Sequence, residues 1–150
     1  MIKKLFAPGN DSALTSFALL VLRVWLGAAM LFIHGLDKLT HYSDMAPKFA
    51  DPLGIGPQAS LALVVFAEVV GALLLILGLL TRFAALTLMI DLGVAFLMVH
   101  NMKLTGHGSG EMAFIYLAGY VALLIAGGGT FSVDKSLFGK GGPATLSKKK

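Results

Sequence analysis

Hydrophobic positions fall into four long runs, and polar residues gather in the intervals between them. Residues 14–36 are apolar except for Arg23 and His34, and residues 57–80 carry Glu68 as their only charge. Residues 83–100 carry Asp91, and residues 111–126 are apolar after Glu111. Runs of this length match helices that cross a bilayer, for which about 20 apolar residues suffice. Asn10, Asp11 or Ser12 supplies a cap before the first run, and Pro57 suits the first turn of the second.

The connections differ in kind. Residues 37–57 are broken by Pro47, Pro52, Gly54, Gly56 and Pro57 and read as an external loop, with a short amphipathic turn over 45–50 at the membrane surface. Leu79-Leu80-Thr81-Arg82 leaves so little chain that the second and third runs must form a tight antiparallel hairpin. Residues 101–110 form the second external loop, and Gly127-Gly128-Gly129 ends the fourth run. The expected fold is all-α: an antiparallel bundle of four transmembrane helices over residues 14–129, with an N-terminal segment 1–13 and a basic tail 130–150. No strong internal repeat is present.

Composition agrees. Of 150 residues, 57% are hydrophobic and 13% charged, with a mean hydropathy of +0.83; a soluble domain needs more polar surface than this. The net charge of +4 does not indicate nucleic acid, because Lys3, Lys4 and Lys148 to Lys150 flank apolar runs, where they act as topology signals and contacts to anionic lipid. One side of the runs carries Lys3, Lys4, Arg82, Lys135, Lys140 and Lys148 to Lys150, and the other only Lys38, Lys48 and Lys103. Both termini are therefore expected in the cytoplasm, in a multi-pass protein of the cytoplasmic membrane. On that side the Asn10-Asp11-Ser12 triplet is no glycosylation site. Arg23 interrupts the first run, and three more follow, so it is a retained helix rather than a cleaved signal. There is no cysteine, which excludes disulfides, thiol relays and cysteine-ligated centres; redox chemistry here requires a bound cofactor or a partner protein.

The buried charges are the candidate chemistry. By helical rise, Arg23 lies roughly 12 Å inside its helix, Asp91 a similar distance from Arg82, and Glu68 about 15 Å below Pro57. An unpaired charge at such depth costs at least about 2.5–3.5 kcal/mol, so these groups should face one another. Arg23, Gly27, Met30, His34 and Lys38 share one helical face, as do Glu68, Gly71, Leu75, Gly78 and Arg82. An intramembrane pocket of Arg23, His34, Glu68 and Asp91 is expected, with Arg23 paired to Glu68; the alternative is that this pair only fixes helix docking. An outer rim of Asp37, Lys38, His100, Glu111 and Tyr116 faces one compartment, together with His41 and His107. None of its spacings is a metal signature. Glu111 also suits a helix N-terminus. Trp25 is too deep for an interfacial belt and is expected to pack between helices, while Tyr116 and Tyr120 either supply hydroxyls to the pocket or pack. The glycine-rich stretch 106–110 lacks the residues of a phosphate loop or a nucleophile elbow.

Arg23-Val24-Trp25-Leu26-Gly27 followed by His34-Gly35-Leu36-Asp37-Lys38-Leu39 resembles the first-helix signature of the DoxX family of small membrane proteins. Glu68-Val69-Val70-Gly71 leading to Leu77-Gly78-Leu79-Leu80-Thr81-Arg82 is similar to the second, and Gly110-Glu111-Met112-Ala113 with Tyr116 to the fourth. Gly128-Gly129-Thr130-Phe131-Ser132-Val133-Asp134 resembles the family's closing motif, so the likeness spans residues 20–134. It implies a four-helix bundle in a bacterial cytoplasmic membrane, with the family's arginine, histidine and glutamate at Arg23, His34 and Glu68; Asp91 has no match. Some relatives are linked to thiosulfate:quinone oxidoreduction or to a membrane complex that counters oxidative stress. The resulting expectation is a subunit of a redox or detoxification system whose pocket holds a quinone or relays protons, with membrane lipid, a redox partner protein and a second copy of the chain as candidate partners. A small solute transporter and a non-catalytic scaffold are the alternatives.

Overall fold

The computed structural model describes residues 13–139, which are helical with no strand among them. The expectations for Lys3, Lys4, Asn10, Asp11, Ser12, Lys140 and Lys148 to Lys150 lie outside the described residues. Helix α1 spans Ala13–Thr40, α2 Tyr42–Met45, α3 Pro57–Leu77, α4 Thr81–Val99, α5 Glu111–Ala126 and α6 Val133–Phe138. α1, α3 and α4 are long and apolar enough to cross a membrane; α5, at 16 residues, is shorter and equally apolar.

Alternating direction puts the loops between α1 and α3 and between α4 and α5 at one end, called here the open end. The α3–α4 turn and the chain after α5 share the other. α4 packs along α5, and the last turns of α3 pack along the first half of α1. Leu75, Leu88, Leu123 and Tyr120 are fully buried where these helices meet, and Ala84 and Ala85 let α4 come close. Trp25 departs from expectation: it is 75% exposed on the outer surface of α1, because the opposite face, with Arg23 and Gly27, is the one that packs.

α1 also runs past residue 36, so Asp37 and Lys38 belong to its final turn rather than to a loop. Before that turn it widens into a π-helical stretch over Met30–Gly35, and similar stretches occur at Phe66–Gly71 in α3 and Ala95–Val99 in α4. Such widenings change the phase of the residues beyond them and occur often beside functional sites.

The turn between α3 and α4 is the most heavily constrained part of the chain. Gly78, at φ +69°, closes α3 in a Schellman arrangement, with Gly78 N–H donating to Leu75 and Leu79 N–H to Leu74. Leu80 is also left-handed, at φ 49°. Arg23 reaches across from α1, 2% exposed, and donates to the carbonyls of Ile76 at 2.6 Å and Leu75 at 3.3 Å, and to that of Phe131. Its Nε alone finds no partner among the described residues. Asp134, at the start of α6, accepts from Leu80 N–H at 2.7 Å and Thr81 N–H at 2.8 Å, and its own N–H donates to Gly78. A guanidinium at a helix C-terminus and a carboxylate at a helix N-terminus both complement the peptide dipoles they meet. A side chain at Gly78 would collide with the Arg23 guanidinium.

Residues 130–138, expected to belong to a tail, are therefore packed against the bundle. Thr130 N–H donates to Ser16 Oγ at 3.1 Å, and Ser132 caps α6 through Lys135 N–H. Arg82 adds a second cationic cap, donating to Ile125 near the end of α5 at 3.0 Å.

At the open end, Asp51 organises the loop before α3. Its carboxylate accepts from Ser60 Oγ at 2.8 Å, Gly56 N–H at 2.9 Å and Ile55 N–H at 3.0 Å. These bonds, that of Ser60 first, hold its carboxyl below the ordinary aspartate range.

Asp134→Ala is expected to lower the stability of the detergent-solubilised protein by about 2–3 kcal/mol, because two charge-assisted acceptors are lost; Asp134→Asn, which keeps one oxygen, loses less. Denaturant titration of both variants checks this. Because the Asp51 pKa is lower in the folded chain, its contribution is complete above the ordinary aspartate value and is lost as pH falls through the depressed one. Amide protection at Ile55 and Gly56 should hold from pH 7 to about 5 and fall only below about 4.

Candidate functional site

Lys38 Nζ donates to both oxygens of Glu68, at 2.9 and 2.8 Å, linking the last turn of α1 to the middle of α3. Glu68 is 4% exposed. The expected pairing of Arg23 with Glu68 does not form, and the reason is axial position. Lys38 lies about 22 Å further along α1 than Arg23, and Glu68 and Ile76 are about 12 Å apart along α3. Antiparallel packing that sets Arg23 against the end of α3 therefore carries Glu68 past Arg23 to Gly35, and the long Lys38 side chain reaches back to it from the next turn. Gly35 makes that approach possible, since a Cβ there would stand 2.7 Å from the Glu68 carbonyl oxygen.

The pair borders a cavity of about 270 Å³ in the open half of the bundle. His34, Lys38, Glu68, Asp91, His100 and Tyr116 supply its polar lining, and Met30, Val64, Leu92, Val99 and Met112 much of the rest. His34 stands edge-on to the Tyr116 ring at 6.1 Å, and Tyr116 stacks on Tyr120, whose hydroxyl donates to Leu26 at 3.4 Å. His100 Nδ1 meets the Gly108 carbonyl at 2.9 Å, tying the second loop to the cavity wall. Asp91 shares the cavity with Glu68 and Lys38, but no hydrogen bond reaches its carboxylate among the described residues.

Of the residues expected in the intramembrane pocket, His34, Glu68 and Asp91 come together and Arg23 does not. Of the expected rim, Lys38, His100 and Tyr116 join the cavity wall. Asp37 instead faces His41 at 3.1 Å on the exposed surface, and Glu111 is exposed at the start of α5. His107 is exposed too. Among the described residues no group of three or more His, Asp or Glu side chains is arranged to hold a metal ion. Two contributions were not anticipated: Lys38 as the partner of Glu68, and Asp134 at the opposite end. The stripe Arg23-Gly27-Met30-His34-Lys38 already contained the first.

One ammonium between two carboxylates, in an otherwise apolar enclosure, can hold a small polar headgroup or pass protons between acids. A cavity of this size is at the small end of ligand sites. The three π-helical stretches all contribute to its walls or border them, through His34, Glu68, Ala95 and Val99.

Comparison with known proteins bears on the same helices. No solved structure matches the chain. An uncharacterized protein of Haemophilus influenzae is 30% identical over 118 residues, covering 75% of this chain and 86% of that protein. The DoxX family model matches residues 18–101, which include Arg23, His34, Lys38, Glu68 and Asp91; the fourth-helix and closing motifs lie beyond the match. With more than half of its length matched, and with helices fit to cross a bilayer, the chain belongs to the DoxX family of membrane proteins.

Proposed function

We propose that the protein is a subunit of a membrane redox or detoxification system, and that its cavity binds a quinone headgroup and relays protons to it. The observation that supports this reading is the Lys38–Glu68 pair with Asp91 beside it, opening onto a cavity of about 270 Å³. Lys38 would donate to a carbonyl oxygen of a bound quinone, and Glu68 and Asp91 would supply the protons taken up when it is reduced and accept from the hydroxyls then formed. Tyr116 and His34 border the ring's place, and the methionine and valine side chains keep bulk water out. The quinone supplies electron-accepting chemistry that a chain without cysteine lacks, so a partner protein delivers the electrons. The packed inner end, with Arg23 and Asp134, maintains the frame and takes no part.

In this reading the protein is a multi-pass protein of the cytoplasmic membrane with both termini in the cytoplasm. The membrane domain covers residues 14–129, and the flanking segments 1–13 and 130–150 lie on the cytoplasmic side. The excess of Lys and Arg in the sequence before the first apolar run, between the second and third and after the fourth supports that orientation, with the cavity then toward the outer face. Lipid surrounds the exposed apolar faces, and a second copy of the chain is a further partner.

Gentle solubilisation followed by extraction should recover a quinone with the wild-type protein. Lys38→Met and Glu68→Gln are each expected to reduce the amount about tenfold, the effect of one charge-assisted hydrogen bond. Arg23→Lys should lower the melting temperature and leave quinone per folded molecule unchanged. Equal quinone content in all four proteins, or none in any, would reject the proposal.

A further inference from the structure

A second cavity, of about 300 Å³, lies on the other side of Asp91. Its walls are Leu63, Phe66 and Ala67 of α3 and Thr87, Ile90 and Val94 of α4. Leu63, Phe66 and Ile90 are exposed, so this groove faces the lipid rather than the bundle interior. The loop before α3 roofs it with Pro52, Leu53 and Ile55, and the Asp51 bonds to Ile55, Gly56 and Ser60 fix that roof.

Both cavities draw lining residues from α3 and α4. On α3, Val64 and Glu68 line the inner one and Leu63 and Ala67 the outer; on α4, Leu92 and Ala95 line the inner and Ile90 and Val94 the outer. Asp91 alone borders both.

A carboxylate that no hydrogen bond reaches among the described residues, bordering a lipid-facing apolar groove, suits an amphiphile with an apolar chain and a hydrogen-bond-donating head such as a hydroxyl. We infer that the α3–α4 groove is a lateral passage and tail site for such an amphiphile, with Asp91 accepting its hydroxyl at the threshold of the Lys38–Glu68 cavity. The inference rests on the function proposed above and concerns the product of that reduction, a hydroquinone with an alkyl chain, as it leaves the cavity. Lateral access suits this ligand, because its chain remains in hydrocarbon throughout and only the head crosses between helices. The chain gains packing rather than dehydration, so the groove governs where it lies more than how tightly it binds.

The test uses the full chain in lipid nanodiscs and an alkyl hydroquinone carrying a photoreactive group on its chain, with labelled peptides identified by mass spectrometry. Labels are expected on residues 63–67 and 87–94 and should be suppressed by excess unlabelled alkyl hydroquinone. Asp91→Asn should raise the competitor concentration needed by about tenfold. Ile90→Trp, a substitution at an exposed position, should fill the groove and remove the labels while the melting temperature holds. Competed labelling elsewhere, indifferent to Ile90→Trp, would overturn the groove and leave the headgroup cavity standing. Labels scattered over lipid-facing positions such as Trp25 and Phe32, without competition, would overturn both.

Discussion

In hydrocarbon a charge must bring its own solvation, and so must the end of a helix. At the turn between α3 and α4 one arrangement meets both requirements. The Arg23 guanidinium takes carbonyls that α3 leaves open, and the Asp134 carboxylate takes N–H groups that α4 leaves open. Neither charge touches the other directly; each is compensated by peptide dipoles, and the turn carries the coupling between them. α1, α3, α4 and the segment after α5 thereby meet at one point, and the antiparallel register of α1 against α3 follows from it.

That register decides what happens about 22 Å away. With Arg23 committed to the end of α3, Gly35 comes against Glu68, and Lys38, a turn further on, reaches back to become its partner. The two ends of the bundle then differ in character. The inner end is regular, capped and filled, whereas the open end contains the π-helical widenings, the cavity and a carboxylate that no hydrogen bond reaches among the described residues. Stability is concentrated where the chain has no opening, and the polar opening lies where the helices depart from ideal geometry.

The four apolar runs, the tight hairpin at 79–82 and the inward stripe of α1 could all be read from hydrophobic period and turn residues. What could not be read was which charge on that stripe meets Glu68. The hydrophobic run understates the length of α1, which ends a turn later, with Asp37 and Lys38 still helical. A helix face also says nothing about axial sliding, which depends on tertiary contacts such as Arg23 with Ile76. Asp134 was hidden for another reason: it follows three glycines in a basic, polar stretch, where composition suggests a tail. The local signs of order there are Ser132, three residues before Lys135 in the pattern of a helix cap, and the likeness of 128–134 to the family's closing motif, which names no contact for Asp134.

The residue that closes the α3–α4 turn lies 53 positions downstream of Thr81. During synthesis the hairpin must therefore enter the bilayer with its latch still unmade, and Leu80 has no carboxylate to hold its left-handed backbone until the segment beyond α5 emerges. Insertion and locking are thus separate events in the life of the chain. Helix α6, too short to cross anything, acts as the key that turns the inserted segments into one finished body.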